Sequence, residues 1–124
     1  MTREQLLHTA RELKSPSPDS LREFSNKREE LAAKVSRAMA ARSDIEKLVG
    51  PDGLQLAEDN NRNFPLFMES VMSHYEAEVL VDTALWAFRA YRSHGFQITF
   101  WPANTRAWIE ALRSELTEAS FHDI

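Results

Sequence analysis

Apolar residues recur along this chain at the three- and four-residue spacing of helices, and only one short segment alternates as a strand would. Three helices are predicted to begin at capping signals: Thr2 with Gln5 three residues later, Ser17 followed by Pro18, and Ser43 with Glu46 three residues later. We predict helices over residues 3–14, 18–42, 44–49, 53–61, 76–94 and 102–116, with another that begins after Asn63.

Two short segments are predicted to separate helices. The polar residues 60–63 favour a break, because asparagine is a poor helix former and Asn63 can cap the helix that follows. Residues 97–100 alternate between polar and apolar side chains, but no second strand is present to pair with them. We therefore predict an extended connector there, after a left-handed residue at Gly95.

The segment 76–94 has the strongest apolar character, because its apolar residues point almost all round the helix. A helix of that kind is normally buried at the centre of a fold. The sequence thus predicts an all-α fold, a single domain over residues 1–124 with six or seven helices. In it, the 76–94 helix is central and buried, flanked by the helices at 18–42 and 102–116.

The last residues form an apolar turn that needs a surface to cover it. Thr117 can cap a short helix, and Phe121 and Ile124 lie one helical turn apart within it. Three alternatives follow: the turn closes onto this domain, it packs on a partner, or the chain continues beyond it.

Composition then excludes several classes of protein. The chain has 124 residues, a net charge of −4 and no cysteine, so disulfides, cysteine-ligated metals and thiol catalysis are excluded. No membrane-length apolar run or secretory signal is present, and we expect a soluble, cytoplasmic protein. Nucleic acid is not an expected partner, because the basic residues of segment 18–42 alternate with acidic ones.

The two halves of the chain differ in their aromatic content. Residues 64–124 contain eleven of the twelve aromatic side chains, and residues 1–63 contain one, with eleven basic and eleven acidic residues. We interpret the first half as solvated helices that cover the second. Aromatic residues at helical spacing usually serve packing, so concentration of the core in the second half is the simplest explanation.

A ligand or partner site is the alternative explanation for residues 86–101. This segment combines apolar walls with a few polar groups at a helix end, as binding pockets do. Arginine and histidine are also favoured at a helix C-terminus by the helix dipole alone. The candidate binding residues are Trp86, Arg89, Tyr91, Arg92, His94 and Trp101.

The same segment carries the pattern Trp-x-Phe-Arg-x-Tyr-x-x-His-Gly-Phe, followed by Phe100, Trp101 and Pro102. In this it resembles uncharacterised bacterial helical proteins of the kind associated with signalling modules. The resemblance covers residues 86–102, under a seventh of the chain, and implies a family fold but no chemistry. Globin-like sensor domains are a fold-level analogy only, since no sensor motif is matched.

Metal and tetrapyrrole sites have weak support in the sequence. His74, Glu78 and Asp82 share one helix face at four-residue spacing, but this is also common in ordinary surface helices. An axial histidine for a tetrapyrrole would be His74 or, second, His94. We expect no metal site, no cofactor and no catalytic residue, although turnover that depends on His94 or Asp82 would indicate an enzyme.

The sequence therefore predicts a non-enzymatic sensory or protein-interaction module that forms a homo-oligomer. It would bind a partner through the aromatic surface at 86–101 or through the apolar seam of the 18–42 helix, which includes Leu31 and Val35. The alternative is a small-molecule or cofactor binding protein, with a tetrapyrrole among the candidate ligands, that uses the aromatic pocket at 86–101.

Overall fold

The computed structural model describes residues 2–124, and within that range it contains seven helices and no strand. The prediction of an all-α fold is confirmed. No helix in the described range is long and apolar enough to cross a lipid bilayer. The helices are α1 (Arg3–Ala10), α2 (Pro18–Ala40), α3 (Ile45–Val49), α4 (Leu54–Ser73), α5 (Ala77–Arg92), α6 (Phe100–Glu115) and α7 (Glu118–Asp123).

The centre of the fold is α2, which packs against α4, α6 and α7. Helix α2 buries four apolar side chains, those of Phe24, Leu31, Val35 and Met39. Burial of each such side chain contributes roughly 1.5–3 kcal/mol to the free energy of folding. The predicted role of the first half as a cover is therefore wrong. The prediction that the seam binds a partner is also wrong, because Leu31 and Val35 are completely buried within the chain itself.

Charged residues beside the seam do not prevent α2 from being central, because they reach outward to the flanking helices. Arg28 donates two hydrogen bonds to the carboxylate of Glu69 on α4, at 3.0 and 2.9 Å. Lys34 lies 3.2 Å from a carboxylate oxygen of Glu115 on α6. Long side chains of this kind bury their aliphatic stems and keep the charge at the edge of the contact.

The prediction that the 76–94 helix is central and buried is wrong. It corresponds to α5, which lies at the periphery, with only Ala77 and Val81 buried, and with 59% of Trp86 exposed. Its closest helix packing is with α1. The apolar residues of α5 pack on different neighbours on different sides, and one apolar side stays uncovered. Hydrophobic periodicity cannot distinguish a helix of this kind from one that is buried on all sides.

The α1–α5 pair has a small core of its own, formed by Leu7, Ala10, Ala77 and Val81. Charged contacts border that core. Two of them join α1 to the polar stripe of α5: Arg3 donates to Asp82 at 2.7 and 3.0 Å, and Arg11 donates to Glu78 at 2.9 Å. The first helix ends at Ala10 rather than at residue 14.

The predicted break at residues 60–63 is absent, and α4 runs without interruption from Leu54 to Ser73. Pro65 lies inside this helix with its ring buried, although proline cannot donate the helical hydrogen bond. Asn61 explains why the polar tract is helical: its side chain is 1% exposed and bonds to Asn104 and Trp108 of α6. Tertiary contacts thus override a weak local preference.

The connection between α5 and α6 is a compact turn rather than the predicted extended connector. Gly95 has the predicted left-handed backbone, with φ of +94°, and Phe96 N–H donates to Tyr91 O in a Schellman motif. Gln97 N–H donates to Leu48 O, which joins this turn to the end of α3. The last long helix begins at Phe100, two residues before the predicted Pro102.

The C-terminal turn closes onto the chain itself, the first of the three alternatives. It forms α7, which packs on α2 and α6, and Ile124 contacts the main core. Glu23 of α2 accepts hydrogen bonds from Thr117 N–H at 2.6 Å and from the Ser120 hydroxyl at 2.5 Å. These bonds satisfy donors at the start of α7 and lower the pKa of Glu23.

Candidate functional site

A groove of about 490 Å³ separates α4 from α5. Helix α5 packs closely on α1 but not on α4, so the apolar faces of α4 and α5 point toward each other across open space. We call this the α4–α5 groove. It is lined by Asn60, Asn63, Phe64, Phe67, Met68, Leu80, Thr83, Ala84, Trp86, Ala87, Phe88, Tyr91, Trp101 and Thr105.

The lining follows helical spacing on both walls. On α4 the positions are 60, 63, 64, 67 and 68, and on α5 they include 80, 84, 87 and 91. Residues at these intervals lie on one face of a helix, so each wall is a continuous stripe along its helix axis. The groove is therefore elongated, rather than a round cavity formed by loops.

Among the residues that the structure describes, none with a charged side chain lines the groove, although 27% of the chain is charged. The few polar groups are amides and hydroxyls. Phe64 and Trp86 are among the large apolar side chains that are exposed to solvent, and both lie on this surface. An uncharged surface with exposed aromatic rings is typical of a site that binds another apolar surface.

An aromatic cluster closes one end of the groove. The ring centroids of Phe88 and Trp101 are 5.1 Å apart, and those of Tyr91 and Trp101 are 5.5 Å apart and stacked. The ring centroids of Phe96 and Tyr91 are also 5.1 Å apart, so Phe96 packs against the last turn of α5. Burial raises the pKa of the Tyr91 phenol, with a smaller contribution from the Asp59 carboxylate, so this hydroxyl stays protonated at neutral pH.

A second cavity, of about 590 Å³, adjoins the other side of Phe88 and Trp101. We call it the arginine corner, because it is lined by Arg89 and Arg92 beside the turn that joins α5 to α6. Its full lining is Phe88, Arg89, Arg92, Gly95, Phe96, Gln97, Ile98 and Trp101. A smaller surface hollow that also contains Phe88 and Trp101 adds Arg106 of α6 to the same region.

Five of the six residues predicted as a single site lie in two adjoining cavities, and the sixth, His94, lies in neither. Arg89 and Arg92 line the arginine corner, whereas Trp86 and Tyr91 line the groove. Trp101 borders both. His94 is exposed and lines neither cavity, and its backbone N–H donates to Tyr91 O within the turn.

Sequence reasoning missed the α4 wall of the groove. The sequence predicts that Phe67 faces the interior from a helix that begins after Asn63, and it assigns no role to Phe64 or Met68. With α4 as one continuous helix, Asn60 joins the same stripe, four residues before Phe64. The sequence did contain a signal for this wall. Both α4 and α5 have more apolar residues than their packing against other helices requires, and charged residues do not interrupt the apolar stripe on either helix.

The two carboxylates considered for metal binding, Glu78 and Asp82, form ion pairs with arginines. The guanidinium of Arg11 lowers the pKa of Glu78 by hydrogen bonding, and that of Arg3 does the same for Asp82. Both carboxylates therefore stay charged and paired with α1. His74 is exposed at the end of α4 and lines neither the groove nor the arginine corner.

Comparisons with protein-family models, with curated proteins and with solved structures find no match to this chain. The geometry of the groove and of the arginine corner is thus the basis for any functional conclusion.

Proposed function

We propose that the protein is a non-enzymatic interaction module that binds one amphipathic helix of a protein partner in the α4–α5 groove. The observation that carries this proposal is the pair of facing apolar helix stripes with no charged residue between them. Binding of this kind uses anchors on the partner at helical spacing, which match grooves between two helices.

The dimensions of the groove support a helix as its occupant. The α5 wall extends from Leu80 to Tyr91, and the α4 wall extends from Asn60 to Met68. At 1.5 Å per residue, these walls are roughly 16 and 12 Å long, the length of two to three helical turns. The exposed ring of Trp86 would become buried, and tryptophan is prominent among residues that dominate binding energy.

The chemistry of the lining supports binding without catalysis. None of the fourteen lining residues has a carboxylate, imidazole, amine or guanidinium group. The most acidic hydroxyl is that of Tyr91, and its raised pKa makes it a poor proton donor or acceptor at neutral pH.

The experiment compares the same substitution at two alanines, Ala87 of α5 and Ala119 of α7. Ala87 lines the groove, whereas Ala119 is exposed and lines neither the groove nor the arginine corner. Helical peptides would be selected from a displayed random library on the wild-type protein, and the affinity of an enriched peptide would be measured by fluorescence anisotropy. Ala87→Glu should weaken binding at least about tenfold, because a carboxylate would be confined against an apolar surface.

The control is Ala119→Glu, which adds the same charge to an exposed helix position away from both cavities and should leave the affinity unchanged. Thermal unfolding of the two variants would show that both fold. Equal binding by wild type and both variants, or no enrichment of peptides with an apolar stripe, would exclude the groove as a helix-binding site.

A small apolar molecule is a second candidate occupant of the same groove, since 490 Å³ lies within the range of small-molecule sites. A tetrapyrrole would meet no axial histidine there, because His74 and His94 line neither described cavity. Native mass spectrometry of the purified protein distinguishes the occupants: a bound small molecule, lost in Ala87→Glu, favours this candidate. The same spectrum reports whether the chain self-associates.

A further inference from the structure

We propose that the bound helix carries carboxylates at the end that lies over the arginine corner. The inference rests on the proposed function, and it adds the chemistry of the partner and its direction in the groove. Its basis is the position of Arg89, Arg92 and Arg106 around the two aromatic rings that end the groove.

The charge distribution in the second half of the chain leaves these arginines available. Residues 64–124 contain eight acidic and four basic side chains, so local excess of carboxylate could have neutralised every arginine. The carboxylates instead pair elsewhere. Five of them form salt bridges with arginine or lysine, namely Glu69 with Arg28, Glu78 with Arg11, Asp82 with Arg3, Glu110 with Arg113 and Glu115 with Lys34, and Glu118 lies 3.8 Å from His122.

Among the described residues, no carboxylate lies within salt-bridge distance of Arg89, Arg92 or Arg106, and no hydrogen bond engages their guanidinium groups. Arg89 and Arg92 are three residues apart on α5, so their Cβ atoms are about 5–6 Å apart on neighbouring positions of the helix surface. Arg89 is near enough to Asp82 to help lower the pKa of that carboxyl group, but both carboxylate oxygens of Asp82 accept hydrogen bonds from Arg3. The three arginines therefore lack a direct ion pair and form one local positive region on a chain whose net charge is −4.

The aromatic rings connect this positive region to the groove. Phe88 and Trp101 line both the groove and the arginine corner, so a helix that lies along the groove reaches the arginines at its end. Ile98, which is 68% exposed, adds an apolar contact beside them. A guanidinium binds a carboxylate through two parallel hydrogen bonds, whereas it repels lysine and arginine.

The arrangement therefore selects among amphipathic helices. An apolar stripe alone would fill the groove, and Asp or Glu at the adjoining end would add charge-assisted hydrogen bonds and faster association. A helix with basic residues at that end would be disfavoured. The sign of the charge at one end of the partner thus determines both its affinity and its orientation.

The test repeats the peptide selection on wild type and on the double variant Arg89→Gln/Arg92→Gln. A control double variant, Arg37→Gln/Lys47→Gln, removes the same charge from exposed residues outside the described cavities. Peptides selected on wild type should carry an apolar stripe with Asp or Glu clustered at one end. The first variant should bind them roughly two- to thirtyfold more weakly, and the control should bind them as wild type does at matched ionic strength.

Selection on Arg89→Gln/Arg92→Gln should still recover the apolar stripe but lose the acidic cluster. Two results would overturn the inference while leaving the proposed function intact: apolar peptides from wild type without acidic enrichment, or equal affinity of acidic peptides for wild type and the variant. Failure to enrich apolar stripes on any of the three proteins would instead overturn the proposed function itself.

Discussion

The buried contact between Asn61 and Asn104 allows a quantitative test of how α4 is held against α6. Asn61 Oδ1 accepts hydrogen bonds from Asn104 Nδ2 at 2.9 Å and from Trp108 Nε1 at 3.0 Å. Asn61 Nδ2 donates to Asn104 Oδ1 at 3.0 Å. Both asparagines are buried, and no buried side-chain polar atom among the described residues lacks a partner.

The perturbation replaces each asparagine with leucine, which branches at the same position and fills the space with apolar atoms. Asn61→Leu leaves three buried groups without partners: two on Asn104 and the Trp108 N–H. At about 1–3 kcal/mol for each such group, the loss of stability should be roughly 3–9 kcal/mol. Asn104→Leu leaves only Asn61 Nδ2 unpaired, so about 1–3 kcal/mol should be lost.

The double variant Asn61→Leu/Asn104→Leu leaves only the Trp108 N–H unpaired, and it should lose about 1–3 kcal/mol. It should thus be more stable than Asn61→Leu alone. The assay is urea unfolding followed by far-ultraviolet circular dichroism, which does not depend on the fluorescence of Trp108. Additive losses, with the double variant within about 0.5 kcal/mol of the sum of the singles, would refute the reasoning.

Two further predictions concern a turn and the C-terminal helix. Gly53→Ala should prevent normal folding, because a Cβ there would collide with the Val49 carbonyl oxygen. Circular dichroism should show a loss of helix, and an unchanged melting temperature would contradict this prediction. Because its pKa is lower in the folded state, ionised Glu23 stabilises α7 at neutral pH, and that contribution should disappear as the pH falls through its folded pKa. Glu23→Gln should increase amide exchange in α7 at pH 7 and reduce its acid dependence, and identical exchange profiles from pH 7 to pH 3 would contradict the assignment.

The helix boundaries that depend on local chemistry were predictable. The exception is the capping box predicted for Ser43 and Glu46, which is wrong because Asp44 is the N-cap of α3 and no described side chain caps that helix. By contrast, Thr2 forms its capping box with Gln5, Ser17 caps α2, and Gly95 adopts the left-handed backbone. In each case, one side chain or one glycine satisfies backbone groups within a few residues, so the signal lies in adjacent sequence.

The position of each helix in the fold was not predictable from periodicity. The seam of α2 has charged neighbours and still forms the centre, because Arg28 and Lys34 reach partners on α4 and α6. Helix α5 has more apolar sides and lies at the periphery. Periodicity identifies which face is apolar, but the surface that covers that face depends on contacts between distant segments.

The candidate site was predictable only on its α5 side. Trp86, Tyr91 and Trp101 do border the groove, whereas the α4 wall was obscured by the predicted break around Asn61. Asparagine disfavours a helix interior when it competes for backbone hydrogen bonds. Here its side chain is fully engaged with α6, and only the folded chain brings those partners together.

The three tryptophans of this chain provide the most direct measurement of the central claim that partners bind in the α4–α5 groove. An enriched helical peptide would be titrated into ¹⁵N-labelled protein, and the indole N–H signals would be followed by nuclear magnetic resonance. We predict large shifts for Trp86 and Trp101, which line the groove. Peptide binding that leaves both of these signals in place, with shifts confined to the outer surfaces of α2 or α6, would contradict the account.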